Sequence, residues 1–339
     1  MLRRREPRDA LIEAVAGSDR LVLLGDVIEL RHGPLRDALA AAQPVLEAIG
    51  GALGPDAEVV VVPGNHDHRL LRPWLSRRAA DGSAATLGLE AAVDWREGEP
   101  LERLAGWLGP GRMRAAYPGV WLREDVYAMH GHYGDRNTTV PILERLGAGM
   151  MGRVVAGRDG RPASAEDYEA TLAPMYAWID AVAEQGGLGT GGGGSVQVRA
   201  WRGLQGSSRG RVRAGVASLG FRTLVFALNR AGIGPLRPDV SGPELRRGGL
   251  RAFGQVLVDL GISGGHVMFG HTHRAGPLPG DDRSEWVTPA GTRLLNTGCW
   301  VYERGFLGDE PRRSPYRAGF AALLEDTGAP ELVNLLDPA

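Results

Sequence analysis

Residues 58–67 read EVVVVPGNHD, a short apolar run that ends in a glycine and three polar residues. Four consecutive valines predict a buried β-strand, and the Pro-Gly pair predicts its end. The strand therefore delivers Asn65, His66 and Asp67 to a loop. In open α/β sheets, ligands gather at the carboxyl ends of strands. This stretch thus predicts an α/β fold with a polar site at the end of a strand.

The same pattern, an apolar run with a polar ending, recurs three times. The repeats are residues 20–26 (RLVLLGD), 125–132 (DVYAMHGH) and 266–273 (HVMFGHTH). Two more strands are predicted at residues 293–300 and 320–324. Helical segments separate them: one begins near Pro7, and another runs from Leu35 to Ile49 with apolar residues at steps of four and three. Pro44 should kink or divide the second helix, and Gly50 and Gly51 should end it. Alternating strands and helices indicate a layered α/β architecture.

The bulk composition excludes several classes of protein. The chain has 339 residues, a net charge of -1 and one cysteine, Cys299. No internal disulfide can form, and the near-neutral charge gives no reason to expect specific nucleic-acid binding. The N-terminus lacks the apolar segment of a secretory signal, and no apolar run approaches the roughly 20 residues that span a bilayer. We therefore predict a cytoplasmic protein.

Residues 141–262 interrupt the strand pattern and are predicted to form a largely helical insertion. Residues 1–140 and 263–339 would then form the core. Glycines near residues 186–195 are typical of a flexible linker. Residues 195–251 hold eleven arginines and only two acidic residues. Two interpretations stay open: an ordinary solvated basic face, or a patch for an anionic substrate or peripheral contact with an anionic membrane.

Four strand endings carry residues that suit a metal site. The candidate ligands and catalytic groups are Asp26, Asn65, His66, Asp67, His130, His132, His271 and His273. Taken singly, each has an ordinary alternative as a helix cap, a turn residue or a surface histidine. Together, each after an apolar strand, they favour a site for borderline divalent metals, which take carboxylate, amide and imidazole ligands. Two such ions can clamp a phosphoryl group and produce a hydroxide nucleophile near neutral pH.

The order of these motifs resembles the calcineurin-like metallophosphoesterases. That order is GD-x-x-(D/E), then GNHD, then a strand that ends in histidine, then GHTH. It is present here at residues 25–29, 64–67, 130 and 270–273. The resemblance implies an α/β/β/α sandwich and hydrolysis of a phosphate ester by a metal-bound hydroxide at a binuclear centre. The two cations would be Mn, Fe, Zn or Co, and the class of phosphorylated substrate stays open.

The resemblance also implies a role for each residue. Asp26 would bridge both metals, and His273 would bind the first of them. Asn65, His130 and His271 would complete the second site. His66 would contact the phosphate or protonate the leaving oxygen, with Asp67 holding its imidazole. Glu29 would support the site without binding metal, and the role of His132 stays open.

One expected motif is missing from this sequence. Relatives of this kind open with a strand that ends in Asp-x-His, and no such sequence precedes Asp26. The first metal site would then keep only Asp26 and His273. We expect the translation start to lie upstream of Met1. The alternative is a real loss, which would leave a non-catalytic or single-metal protein that binds a phosphorylated ligand.

Overall fold

The computed structural model describes residues 2–82, 85–138, 162–184, 242–302, 307 and 310–337. The helices are α1 (Arg5–Val15), α2 (Leu35–Ala52), α3 (Arg72–Ala80), α4 (Pro100–Leu108), α5 (Gly134–Asn137), α6 (Ala165–Glu184) and α7 (Gly242–Asp259). The strands are β1 (Arg20–Leu23), β2 (Glu58–Val61), β3 (Glu90–Val93), β4 (Met113–Arg123), β5 (Val126–Met129), β6 (His266–Phe269), β7 (Ala275–Gly276), β8 (Arg293–Thr297), β9 (Phe320–Leu323) and β10 (Glu331–Asn334). All six predicted strands are present. Within these ranges, no helix combines the length and the apolarity that a membrane crossing requires.

The main sheet is mixed, and most of its strand pairs are parallel. Its strand order is β1-β2-β4-β5-β6-β8-β7, and β3 also pairs with β4. The pairs β1–β2, β2–β4, β5–β6 and β6–β8 are parallel, whereas β3–β4, β4–β5 and β7–β8 are antiparallel. Strands β9 and β10 form a separate antiparallel hairpin. The predicted α/β class is confirmed, and the four-layer sandwich stays a prediction.

The long strand β4 joins two halves of the sheet, one with β1 and β2 and the other with β5, β6, β8 and β7, and brings the ends of their strands together. β2 runs parallel to β4 and ends with Val61 beside Ala115. β5 runs antiparallel to β4 and ends with Met129 beside Gly119. The carboxyl ends of β2 and β5 therefore point toward each other across the middle of β4. The loops that follow them open into the same space.

Two apolar clusters cover the two faces of this sheet. The larger one contains buried side chains from the helices, such as Leu46, Leu104 and Phe253, packed on strand residues such as Val59. The smaller one contains strand residues only, and the β9–β10 hairpin packs against it. Burying apolar area on both faces stabilises the sheet by about 25 cal/mol per Å² removed from water. The polar loops lie at the end of this sandwich of helices, sheet and hairpin.

Helix α2 differs from its prediction. The structure gives one helix that passes through Pro44, Gly50 and Gly51 and ends at Ala52. Gly50 packs so closely on α4 that an added Cβ would lie 2.5 Å from the carbonyl oxygen of Trp107. Tertiary packing thus overrides the weak helix propensity of Gly50, and the helix ends at Ala52, one residue after the predicted Gly50-Gly51 end.

Helices α6 and α7 belong to the predicted insertion, and both are packed into the larger cluster. Tyr168 and Tyr176 of α6 are buried there, as is Phe253 of α7. The arginines of α7 are paired with carboxylates. The pairs are Arg246–Glu285 at 2.7 Å, Arg247–Glu285 at 2.8 Å and Arg251–Glu244 at 2.6 Å. The Gly-rich linker and the other eight arginines of residues 195–251 lie outside the described residues.

Candidate metal centre

The loops after β1, β2, β5 and β6 meet where the two halves of the sheet converge. Nε2 of His130 lies 3.2 Å from Oδ2 of Asp26 and 3.1 Å from Oδ1 of Asn65. Nδ1 of His271 lies 3.2 Å from the same oxygen of Asn65. The ligand atoms of Asp26, His130 and His271 all lie within 4.8 Å of one another. The structure therefore assembles four of the five residues predicted to bind metal.

The backbone at this site is strained. In the described part of the chain, three non-glycine residues have a positive φ, and all three are predicted ligands. The values are 53° at Asp26, 63° at His271 and 60° at His273. This region of backbone space is uncommon for residues with a side chain. Such strain persists only where the surrounding structure holds it, and it clusters at functional sites. The backbone thus singles out the same residues as the sequence motifs.

Hydrogen bonds fix the tautomers of two imidazoles. Nδ1 of His130 lies 3.0 Å from the carbonyl oxygen of Leu24, which can only accept, so the proton is on Nδ1. Nε2 of His271 donates to Oδ1 of Asp135 at 2.7 Å. In the neutral imidazoles, Nε2 of His130 and Nδ1 of His271 therefore point lone pairs into the site. Metal-bound histidines almost always have an outer partner of this kind.

The charges also favour a cation here. Burial lowers the pKa of His130, but the carboxylate of Asp26 beside it reverses this effect, so the pKa is raised overall. The pKa of Asp26 lies well below its usual range, because the neighbouring His130 and His66 outweigh the effect of burial. A positive charge is therefore stabilised between these two side chains.

The amide of Asn65 can be oriented in two ways, and one of them suits a cation. With Oδ1 toward His130 and His271, the site holds two imidazole lone pairs, an amide oxygen and the carboxylate of Asp26. Turned by 180°, the amide NH₂ would instead donate to both imidazoles at 3.1 and 3.2 Å. Ligand atoms around one cation at about 2.1 Å are themselves about 3.0–3.4 Å apart. The separations of 3.1–3.2 Å found here match that range, so this donor set fits a divalent cation.

His273 lies beside this group but is not part of it. It is largely buried, and burial lowers its pKa to about 4, although the charge of Asp26 acts in the opposite direction. Its imidazole is therefore neutral at pH 7, as a ligand must be. Among the described residues, Asp26, His130 and His271 are the one group of three such side chains close enough for an ion. The second ion of the predicted pair stays a prediction.

His66 lies at the mouth of the site and is paired with Glu29. Its Nδ1 is 2.6 Å from Oε2 of Glu29, and its backbone N–H donates to Oδ1 of Asp26 at 2.8 Å. Burial lowers the pKa of His66, but Glu29 and Asp26 raise it above its usual value overall. A protonated imidazole is therefore favoured here, held by one carboxylate and close to another.

The predicted role of Asp67 is wrong, because its carboxylate does not contact the imidazole of His66. It accepts backbone N–H bonds from Gly64 at 2.6 Å, from Val27 at 2.8 Å and from Asp26 at 3.2 Å. Asp67 is fully buried, and burial together with the charge of Asp26 raises its pKa. It therefore joins the GD loop to the GNHD loop, and Glu29 takes the role assigned to Asp67.

The glycines of these motifs are required because there is no space for a side chain. A Cβ at Gly25 would lie 2.1 Å from Nδ1 of His130, and φ is 83° there. A Cβ at Gly64 would lie 2.5 Å from Oδ1 of Asp26 and 2.7 Å from the ring of His130. Both glycines thus let two ligands approach the backbone closely.

The residues behind the site form a buried polar network that the sequence did not reveal. The hydroxyl of Tyr117 donates to Oε2 of Glu169 at 2.6 Å and lies 3.1 Å from Nε2 of His132. Nε2 of His68 is 2.7 Å from Oε1 of Glu169. His132 is fully buried, and burial keeps its pKa well below the usual value. His132 is therefore neutral and packs behind the site, and the carboxylate of this network, Glu169, comes from α6.

Asp135 is a second residue that no sequence pattern indicated, and it leads to a prediction. Its side chain is buried in α5 and bonds to His271. Replacing Asp135 with asparagine keeps the size of the side chain but removes the charge that makes His271 a strong ligand. We expect the affinity for Mn²⁺ or Zn²⁺, measured by calorimetry, to fall about 10- to 100-fold. Asp37→Asn, at an exposed carboxylate of α2, is the matched control, and equal affinity of Asp135→Asn and wild type would refute this role.

No protein-family model, curated protein or solved structure matches this chain in comparison with known proteins.

Proposed function

We propose that this protein is a metal-dependent hydrolase of phosphate esters. One observation carries the proposal: a carboxylate, an amide oxygen and two imidazoles from four separate loops converge beside a protonatable histidine. Three of the distances between their ligand atoms are 3.1–3.2 Å, which fits a divalent cation. Bound there, a cation would supply Lewis acidity toward phosphoryl oxygens and would lower the pKa of a water molecule. The resemblance to calcineurin-like metallophosphoesterases supports the same conclusion.

The chain itself supplies the acid of the proposed reaction. Burial lowers the pKa of His66, but Glu29 and Asp26 raise it above its usual value overall, so this imidazole holds a proton more readily than a free one. Its Nδ1 is bonded to Glu29, which leaves Nε2 for the substrate. In the proposed reaction, Nε2 of His66 donates its proton to the leaving oxygen of the ester. General acid catalysis of this kind contributes about 10²- to 10⁴-fold to the rate.

Two parts of the proposal, a second cation and a four-layer fold, extend beyond the geometry of the described residues. A second cation would bind between Asp26 and His273, whose imidazole is neutral and therefore able to ligate. The fold would be the four-layer sandwich of the family, with the helices, sheet and hairpin as three of the layers. Both parts rest on the resemblance alone.

A second candidate function is a binding protein that holds one cation and a phosphorylated ligand without turnover. Among the described residues, a single group of three carboxylate or imidazole ligands is close enough for an ion, which favours this alternative. It predicts binding of phosphate compounds and no release of product.

Hydrolysis of aryl phosphates distinguishes the two functions. The purified protein is incubated with Mn²⁺ or Zn²⁺ and either p-nitrophenyl phosphate or bis(p-nitrophenyl) phosphate. We expect product release that requires the cation and falls about 10²- to 10⁴-fold in His66→Ala. His266, at the opposite end of β6 from His271, provides the control, since His266→Ala should keep most of the activity. A folded protein that binds no cation refutes both functions, and binding without turnover leaves only the second.

A further inference from the structure

We propose that Asp180 of α6 binds a hydroxyl group of the substrate, so that the protein favours phosphate esters of sugars and similar polyhydroxylated alcohols. This inference rests on the proposed function and deepens it, because it names a class of substrate for the same site. No strand-end motif of the sequence includes Asp180, which lies in the predicted insertion. Its burial, its place on α6 and the charges around it carry the proposal.

Asp180 is a buried carboxylate that has no partner of its own. It is only 6% exposed, and in the part of the chain that the structure describes it forms no hydrogen bond and no ion pair. A carboxylate can only accept hydrogen bonds, and burying one without a donor costs free energy. Buried charges are therefore paired as a rule, as Glu169 of the same helix is with His68. A ligand that donates a hydrogen bond would pair Asp180 in the same way.

Helix α6 runs from behind the metal centre to the surface beside it. Glu169, near its start, has a side chain that is 7% exposed, whereas the side chain of Glu184 at its end is 43% exposed. Tyr176 and Asp180 lie between them, one turn apart and on the same face of the helix. The centre of the Tyr176 ring is 5.2 Å from the guanidinium carbon of Arg31. Asp180 is therefore about one helical turn farther toward the surface than this contact.

Contacts between side chains connect this part of α6 to the metal centre. One terminal nitrogen of Arg31 is 3.2 Å from the side-chain amide of Asn65, a proposed ligand, and the guanidinium packs on Tyr176. Only a part of the substrate that extends beyond its phosphoryl group can therefore reach Asp180. Four residues of helix rise about 6 Å, so the group that reaches past Tyr176 to Asp180 must be about as long as a sugar ring.

The surroundings of Asp180 favour a hydroxyl over an amine as the donor. Burial raises the pKa of its carboxyl above the usual value, although four nearby basic side chains act in the opposite direction. They are His68, Arg69, Arg31 and Arg72. The three arginines carry permanent positive charges, which would repel an ammonium group but not a neutral hydroxyl. They also attract the negative charge of a phosphate ester, so a phosphorylated sugar suits both the carboxylate and the cations around it.

Release of inorganic phosphate from two esters of similar size measures this preference. One ester is D-glucose 6-phosphate, and the other is cyclohexylmethyl phosphate, whose six-membered ring carries no hydroxyl. At saturating Mn²⁺, we expect wild type to hydrolyse the sugar ester with a kcat/KM at least about tenfold higher than the other ester. Asp180→Leu should lower kcat/KM about 10- to 100-fold for the sugar ester and less than about threefold for the other. The matched control is Asp9→Leu, at an exposed carboxylate of α1, which should equal wild type with both esters. Melting curves establish that each variant is folded.

The hydroxyl site is overturned if wild type shows no preference for the sugar ester, or if Asp180→Leu affects both esters equally, even when aryl phosphates are hydrolysed normally. A wild-type protein that hydrolyses no ester refutes the proposed function instead. Calorimetric titration with the same two compounds then decides about Asp180. Weaker binding of glucose 6-phosphate alone by Asp180→Leu supports the site, and unchanged binding excludes it. If Asp180→Leu does not fold, Asp180→Asn takes its place. Its loss with the sugar ester should be about 3- to 10-fold, because a hydrogen bond to a neutral acceptor is about half as strong, and no loss counts against the proposal.

Discussion

Replacing His130 with alanine is expected to lower the affinity for a divalent cation by more than about 100-fold. The loss of an outer partner of a ligand costs about 10- to 100-fold, and His130 is itself a proposed ligand. Its Nε2 lies 3.2 Å from Oδ2 of Asp26 and 3.1 Å from Oδ1 of Asn65. Its removal therefore takes away the ligand atom that lies next to both of these oxygens. Titration with Zn²⁺ or Mn²⁺, followed by calorimetry, measures this change.

His266 provides a matched control for this experiment. It is the first residue of β6, whereas His271 lies two residues beyond the last residue of that strand. His266→Ala should therefore keep the cation affinity of wild type within about threefold, because the substitution is remote from the centre. Similar losses in both variants would show that histidines bind the cation nonspecifically, and would contradict the assigned centre.

Replacing Glu169 with leucine is expected to lower the free energy of unfolding by about 3–5 kcal/mol. Glu169 is buried at the junction of α6 with the sheet and bonds to His68 and Tyr117. Leucine leaves two buried partners, the imidazole of His68 and the hydroxyl of Tyr117, without their shared acceptor, and each unsatisfied buried polar group costs about 1–3 kcal/mol. Urea unfolding in EDTA measures the effect without a contribution from bound cations. The exposed pair Glu310–Arg313 is the control, and Glu310→Gln should cost about 1 kcal/mol or less.

The effect of Glu169 should depend on pH in a defined direction. Burial raises its pKa, but the charge of His68 and the hydrogen bonds from His68 and Tyr117 hold it below the usual 4.5 overall. Because the folded pKa lies below the unfolded one, the stabilisation is fully present above about pH 4.5 and is lost as the pH falls through the folded pKa. The stability difference between wild type and Glu169→Gln should therefore narrow below pH 4.5. If this stability difference stays constant down to the pH at which the protein unfolds in acid, the ionised, buried carboxylate of Glu169 would be contradicted.

The strands with uninterrupted apolar runs were predictable from the sequence, and β4 was not. Residues 58–61 and 126–129 are short, apolar and followed by polar loops, which are strong local signals. β4 contains Arg114, Pro118 and Gly119 within eleven residues, and this composition obscures the strand pattern. Two of its partners, β2 and β3, are separated from it along the chain by at least one helix, so its pairing with them is not a local signal. The convergence of the two halves of the sheet depends on β4 and so could not be predicted.

The proposed ligands were predictable because they follow the strands closely, whereas the residues that support them were not. Asp26, Asn65, His130 and His271 each lie within four residues of a strand end. The resemblance assigned Asp67 to the imidazole of His66, yet neighbouring side chains point in different directions, and Asp67 turns toward the backbone of the GD loop. Asp135 and Glu169 act through contacts with residues that are far away in sequence. Local pattern carries no information about such pairs.

The positive φ angles of Asp26, His271 and His273 have a consequence for the kinetics of metal exchange. These backbone conformations are set by folding and exist before any cation arrives, so the site is preorganised and little ordering remains to be done on binding. Capture of a cation should therefore be limited by how fast it loses its hydration water. Release should require a bond from Asp26 or His271 to break while the backbone keeps that side chain in place, or one imidazole to gain a proton. A centre built in this way should load quickly and exchange its metal slowly at neutral pH, and exchange should accelerate in acid.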